Sequence, residues 1–256
     1  MKNGQKIILK LKWKVYLMKN RILLPVNKGE FSSIIDDMYK TLPDMMKRKI
    51  PESEIQAAFA IDYITNRYHS GELLCVGSYE DVTYEYLKAK GVSVVGIDPQ
   101  INVDLHTYRK STDKKFDMVF SVSVIEHVEN DEEFIEDISN LLCKNGTGIL
   151  TTDFLENWFP SEQQALKIPN LSKSTTKERL YWVKKLNESK KERKPFSPKP
   201  KEDYRLYTSK DYKRLSNVLE KNGCFFVDEF IANVEPYFTY DLCKYSFSTM
   251  VFRKIS

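Results

Sequence analysis

The sequence predicts an α/β fold built on a mostly parallel sheet, and three observations predict it. Short apolar runs alternate with helical patterns from residue 71 to 155, as strands joined by right-handed crossovers do. Residues 71–99, GELLCVGSYEDVTYEYLKAKGVSVVGIDP, read as strand, turn, helix and strand and close on an acid, the outline of a nucleotide-binding βαβ unit. After an interruption, a helix marked at both ends and two apolar runs restore the pattern over 208–254.

The chain has 256 residues, enough for one α/β domain with attachments. Its division is read as an N-terminal hairpin and helical extension over 1–70, then a main domain over 71–256 that carries a basic insertion or lid at 156–206. With 40 Lys and Arg against 36 Asp and Glu, no strong whole-protein field exists, so any basic function is local. Cys75, Cys143, Cys224 and Cys243 form no C-x-x-C pair and lie in or beside apolar runs, which suits free thiols in a reducing cytoplasm. Lysines interrupt the N-terminal apolar stretch, and nothing approaches a membrane-spanning length.

Taken in order, ILKLKWKVYL at 8–17 alternates with a period of two, a half-buried strand, and the run ILLPV after the turn at 19–20 makes a hairpin of it. From Phe31 to His69 apolar residues recur at helical spacing, with Pro51 placed to open the second helix and the pair set to cover one end of the sheet. FDMVFSVSVIEHV at 116–128 holds a buried strand. DEEFIEDISNLLC follows as a helix with acids in its first turn, KNG ends it, and TGILTTDF is the next strand. The segment 173–201 has eleven Lys or Arg against three Glu and several prolines, so it reads as an exposed insertion.

The turn of the βαβ unit decides what it can hold. A dinucleotide site uses several glycines so that backbone N–H groups reach a pyrophosphate at the helix start. Here the turn is Gly77-Ser78-Tyr79-Glu80-Asp81, and Ser78 and Asp81 have the spacing of an N-cap and its partner, so side-chain charge already occupies the helix dipole. A phosphate there meets like charge. S-adenosylmethionine has no phosphate and carries a sulfonium, so the same acids suit it. Asp98, at the end of the second strand, is placed to accept ribose hydroxyls.

At this point the chain resembles the class I S-adenosylmethionine-dependent methyltransferases. The resemblance rests on ELLCVGS, VVGIDP, FDMVFSVSVIEHV, LLCKNGTGILTTDF and the closing YTSKDYKRLSNVLEKNGCFFVDEF, in order, over about 71–155 and 205–254. It implies a Rossmann-like seven-stranded sheet with the last strand antiparallel. It also implies cofactor contacts: Gly77 and Ser78, with Tyr79 and Asp81, at the methionine end; Asp98 and Pro99 at the ribose; Asp104 and Leu105 at the adenine; Ser121 and Val122 near the sulfonium. Cys75 stands where the family carries an acid two residues before its first glycine, with Glu80 or Asp81 as the acids that could replace it.

Methyl transfer needs an aligned acceptor and, for a hydroxyl, a base. His127 and Asp153 are the candidates; the Glu126-His127 pair reads equally as a support for the local helix. Relatives with E-x-x-E-H at this motif bind a metal, but Ser123 replaces the first acid, so no metal is expected. Arg205, Tyr207 and Trp158 are the acceptor-contact candidates, Arg205 because its guanidinium suits a phosphate or carboxylate. The expectation is methyl transfer to an oxygen of a small anionic acceptor, such as a nucleotide-linked sugar or phosphorylated metabolite of cell-surface polysaccharide synthesis. The alternatives are an RNA or protein methyltransferase, or a catalytically silent cofactor-binding subunit. Nucleic acid ranks lower because the basic segment holds only Tyr181, Trp182 and Phe196 for stacking.

Overall fold

The structure is a computed structural model that describes residues 19–156, 205–230, 238–240 and 243–255, with isolated positions between 176 and 191. Strand β1 (Ile22–Leu23) leads into helices α1 (Asn27–Glu30), α2 (Ser32–Thr41) and α3 (Pro43–Arg48), and a 3-10 turn at Pro51–Ser53 opens α4 (Glu54–Thr65). There follow β2 (Leu73–Val76), α5 (Val82–Ala89), β3 (Val94–Ile97), α6 (Leu105–Ser111), β4 (Phe116–Val122), α7 (Asp131–Leu141) and β5 (Leu142–Phe154). The described chain closes with α8 (Ser209–Lys221), β6 (Cys224–Phe226), β7 (Phe238–Tyr240) and β8 (Cys243–Lys254).

The sheet runs β3-β2-β4-β5-β8, and β1 and β6 share the far edge of β8 in succession, at Phe247–Ser248 and Phe252–Lys254. Strands β2 to β5 pair parallel, while β8 is antiparallel to β5, β1 and β6. The result is a seven-stranded mixed sheet whose last strand is the antiparallel one, as expected; β7 forms a separate antiparallel pair with β8. One of the seven strands, β1, comes from the N-terminal extension. The first limb of the expected hairpin, 8–17, lies outside the described residues.

Two apolar layers sandwich the sheet. Ile55, Ala58, Phe59 and Ile61 of α4 pack with Phe120, Ile149 and Phe247 on one face, and Phe134, Ile138 and Leu215 of α7 and α8 pack with Val119, Leu150 and Met250 on the other. Helix α4 is buried on nearly every side, so it lies across the face of β4, β5 and β8 rather than covering one end of the sheet. Two local features complete the sheet, the first in a stretch without a sequence assignment and the second against the expectation that KNG ends a helix. The stretch 103–111 contains a helix, α6, capped by Asp104, and KNG lies inside β5, where Asn145 takes φ 65° and the register with β4 shifts. Gly146 permits that kink, because a Cβ there would sit 2.9 Å from two backbone carbonyl oxygens.

The loop between β4 and α7 is held by one buried carboxylate. Asp131, 4% exposed, receives hydrogen bonds from Arg214 Nη1 and Nη2 at 3.0 and 2.7 Å and from Tyr207 Oη at 2.9 Å, and pairs with Arg205 Nη1 at 3.1 Å. Burial pushes its pKa up, but the arginines and the tyrosine hold it below the usual carboxylate range. Arg205 also donates to the carbonyls of Val128 and Glu129, at 2.9 and 2.6 Å. Replacing Asp131 by Ala leaves two facing guanidiniums without their anion. The expected loss is about 2–3 kcal/mol in urea unfolding, below the cost for a fully buried pair because both arginines are about a third exposed.

Candidate active site

Strand β2 is followed in the sheet by β3 on one side and by β4 on the other, so the loops leaving their carboxyl ends diverge and a crevice opens between them. A cleft of about 850 Å³ occupies that place, within the range of small-molecule sites. Its walls come from the turn 77–82, the end of β3 with 97–106, the loop 122–130, the first turns of α4 and α7, and Met46 and Lys49 at the end of α3.

The turn after β2 is closed by two hydrogen bonds, from Gly77 N and Ser78 N to Ile97 O at 2.8 and 3.1 Å. Gly77 takes φ 82°, and a Cβ there would lie 2.3 Å from Val124 Cγ2, so glycine is what lets the turn and the β4 loop approach. Helix α5 begins later than the sequence spacing suggests. Asp81, not Ser78, is its N-cap, accepting from Tyr84 N at 2.6 Å, while Ser78 is buried beneath the turn. Asp98 is half-buried at the end of β3; its carboxylate accepts from Gln100 N at 2.8 Å and from Tyr79 N at 3.3 Å, which ties the two loops together. Asp104 caps α6 through Thr107 N at 3.0 Å, and Leu105 is buried beside it.

Of the expected cofactor contacts, Gly77, Tyr79, Asp81, Asp98, Pro99, Asp104, Leu105 and Val122 line this cleft. Ser121 and Ser78 do not; the Ser121 hydroxyl is buried and donates to Val76 O at 2.9 Å, bracing β4 against β2. His127 is exposed and lines the cleft. Asp153 is 5% exposed on β5 and does not line it. Tyr207 is 1% exposed, with its hydroxyl on Asp131 and Ile125 O, and Arg205 is engaged by the loop it braces. Both therefore act as supports of the loop 125–131, Arg205 through its pairing with Asp131. Trp158 lies outside the described residues.

Sequence reasoning missed Lys49, Glu129, Glu133 and Asp137, which reach the cleft from elements beyond the motifs. Counting them, the walls hold, among the described residues, eight carboxyl side chains (Glu54, Glu80, Asp81, Asp98, Asp104, Glu129, Glu133, Asp137) against one lysine. His106 lines the same wall and meets Asp137 at 2.8 Å, where Arg109 also binds at 2.9 Å. Such a lining favours a ligand with positive charge and disfavours phosphate. Among the described residues no cluster of three His, Cys, Asp or Glu side chains could hold a metal ion, and no helix is long and apolar enough to cross a membrane.

Behind the loop lie two more buried acids. Glu126, 1% exposed, accepts from Thr152 Oγ1 at 3.0 Å and from the Ser123 hydroxyl, so the serine standing in the metal-binding motif's first position serves a neighbouring carboxyl. Burial pushes Glu126 up to about 7; burial and the nearby Glu126 push Asp153 well above the ordinary range, and a bond from Tyr245 opposes this. Burial likewise raises Asp81 to about 7. At the start of α4, Gln56 is 1% exposed and neither of its amide atoms has a hydrogen-bond partner.

These shifts fix a pH dependence. Unfolded carboxyls titrate near about pH 4, so above that pH the folded chain keeps protons that the unfolded chain gives up. The stability contributed by Asp81 and Glu126 is therefore present below about pH 4 and lost as pH rises to about 7, and Asp153 acts in the same direction. Asp131 has the opposite sign and protects the fold above about pH 4. Urea unfolding should give maximal stability near about pH 4 and a decline from there to about pH 7 that Glu126→Gln makes shallower. A stability that climbs from pH 5 to 8 contradicts the assignment.

With the geometry in place, comparison with known proteins is informative. A family model described as a methyltransferase domain matches residues 48–224. The ubiquinone biosynthesis O-methyltransferase of Rickettsia felis is 31% identical over 38% of this chain and 49% of that protein. The chain thus spans about half the length of the curated relative it matches. A solved S-adenosylmethionine-dependent methyltransferase of Methanosarcina mazei is 17% identical with a TM-score of 0.47, covering 75% of this chain and 97% of that one. The plantazolicin methyltransferase BamL, solved with a triazolic desmethylPZN analog and SAH, is 13% identical with a TM-score of 0.47, covering 90% and 91%.

Proposed function

Because the chain belongs to the methyltransferase-domain family and takes S-adenosylmethionine as its cofactor, we propose that it transfers the cofactor's methyl group to an oxygen of a small hydroxylated acceptor. The observation that carries this reading is the lining of the cleft, eight carboxyl side chains against one lysine at the point where the loops diverge. The cofactor supplies an electrophilic methyl on a sulfonium, and the protein's share is placement and proton transfer.

Asp98 accepts the ribose hydroxyls with the lone pairs that Gln100 and Tyr79 leave, and Val103, Leu105 and Phe134 offer an apolar slot for the adenine. Gly77 and Val124 set how closely the cofactor lies against β2 and β4. His127 is the base in this reading, since it is exposed to the cleft, whereas Asp153 is buried and away from it. The acceptor enters between the first turn of α4, which lines the cleft through Ser53, Glu54 and Ala57, and the loop after β4 that carries His127. The printed name of the Rickettsia relative, an O-methyltransferase, agrees with oxygen as the acceptor atom. An anionic acceptor has weaker support than the sequence suggested, because Arg205 is committed to Asp131 and to loop carbonyls. The association with cell-surface polysaccharide has none in the comparisons. A phosphorylated acceptor rests on the composition of 173–201 alone.

Calorimetry should detect S-adenosylhomocysteine binding to the wild-type protein, and absence of binding overturns the reading. Asp98→Ala should weaken that binding roughly ten- to hundredfold, the worth of hydrogen bonds to a charged group. Incubation with methyl-labelled cofactor and a panel of catechols, phenols, sugars and phosphorylated sugars, followed by mass spectrometry, should show a gain of one methyl group on a hydroxyl. Transfer to RNA or to a protein alone would replace this acceptor class. His127→Gln should lower turnover by about 10²–10⁴ while leaving S-adenosylhomocysteine affinity unchanged.

A further inference from the structure

We propose that Arg205 is a positioning residue for His127: it holds the peptide carbonyls on both sides of that histidine and so sets where the imidazole stands in the cleft. The proposal rests on the reading of His127 as the base and names what keeps that base in place.

His127 is exposed and ends a 3-10 turn, Ile125–His127. So short a turn holds itself weakly: His127 N reaches Val124 O at 2.9 Å and Val128 N reaches Ile125 O at 3.2 Å. The carbonyls around the histidine are met instead by the segment 205–207. Arg205 N donates to Glu126 O at 2.9 Å, Arg205 Nη2 donates to Val128 O at 2.9 Å and to Glu129 O at 2.6 Å, and Tyr207 Oη donates to Ile125 O at 3.2 Å. One residue thus grips the carbonyl before His127 with its main chain and the carbonyl after it with its side chain.

The gripping segment is itself fixed to the sheet. Tyr207 N donates to Asp153 O at 3.0 Å and Leu155 N donates to Tyr207 O at 2.9 Å, a parallel bridge onto the end of β5. Asp131 takes Arg205 Nη1 at 3.1 Å, which sets the plane of the guanidinium and turns Nη2 toward the two loop carbonyls. A planar fork can serve a carboxylate and carbonyls at once, whereas a lysine brings the same charge on a flexible stem without the fork. The loop therefore uses the shape of this side chain as well as its charge. A displacement of about 1 Å at a reacting group can cost about a hundredfold in rate, so a grip on this turn bears on catalysis without touching the acceptor.

Arg205→Lys, which keeps the charge and can still pair with Asp131, tests the assignment in two ways. The chain has three histidines, His69, His106 and His127, so the imidazole proton signals in NMR can be assigned by comparison with His127→Gln. With S-adenosylhomocysteine present, Arg205→Lys should shift or broaden the His127 signals and leave those of His69 and His106 in place; this readout needs no acceptor. Turnover on the hydroxylated acceptor found in the labelling panel should fall about ten- to hundredfold, with its KM within about twofold of the wild type. Adding Arg205→Lys to His127→Gln should lower turnover no further, because the two act as one unit. Unmoved His127 signals, movement of all three histidines, or losses that multiply in the double variant would overturn the proposal. So would a raised acceptor KM at constant kcat, which would make Arg205 an acceptor contact. Wild-type turnover in His127→Gln would remove the base reading itself, and this proposal with it, whatever Arg205→Lys does to the ring.

Discussion

The reversal of the chain across β2 governs the rest of the molecule. From β2, the crossover through α5 lays β3 on one side, and the next, through α6, returns past β2 to lay β4 on the other. Right-handed crossovers then force the loops after β2 and β4 apart. The cleft between them is a consequence of connectivity before any side chain is considered. What the side chains add is the closeness of approach, through Gly77 against Val124, and the link from Asp98 to the turn through Tyr79 N.

The walls of that cleft are loops, and loops need anchoring if they are to place chemistry. Asp131 anchors one of them by gathering Arg205, Arg214 and Tyr207, from the segment entering α8 and from α8 itself, onto the first residue of α7. The loop that carries Glu126 and His127 is thereby fixed to the far layer of the sandwich. Arg205 N also donates to Glu126 O at 2.9 Å, so the main chain repeats the side-chain link. The acids behind the loop work in the other direction: Glu126 and Asp153 are buried together, which costs stability whenever both are charged. A site built this way trades folding free energy for carboxyls held out of water, as sites with perturbed acids commonly do.

The βαβ core was legible because its signals are local. Apolar runs of strand length, the gap from Gly77 to Asp98 and the capping box of Thr208 and Asp211 all survive in the structure. What could not be read was anything fixed by distant partners. Arg205 and Tyr207 looked free for an acceptor because the sequence does not show that Asp131, more than seventy positions earlier, lies beneath them. Lys49 escaped notice because nothing near it in sequence marks it; only the packing of α3 against the turn brings it to the cleft. Helix α6 was missed because its apolar content is small, although Asp104 three residues before Thr107 was a cap in plain view. The strand β1 was legible in the run at 22–26, but its place beside β8 was not, because that partner is more than two hundred residues away.

The turn after β2 lacks the later glycines of a dinucleotide site, yet one of its side-chain-bearing residues takes a conformation that glycine usually supplies. Glu80 takes φ 53°, a left-handed conformation that costs a non-glycine residue about 1–2 kcal/mol. Its ion pair with Arg48 and the cap made by the next residue, Asp81, hold it there. The turn thus holds a left-handed residue without a glycine, and its side chains present carboxyl groups at the helix start. A phosphate is excluded by charge rather than by shape, because Asp81 already satisfies the N–H group that an anion would seek.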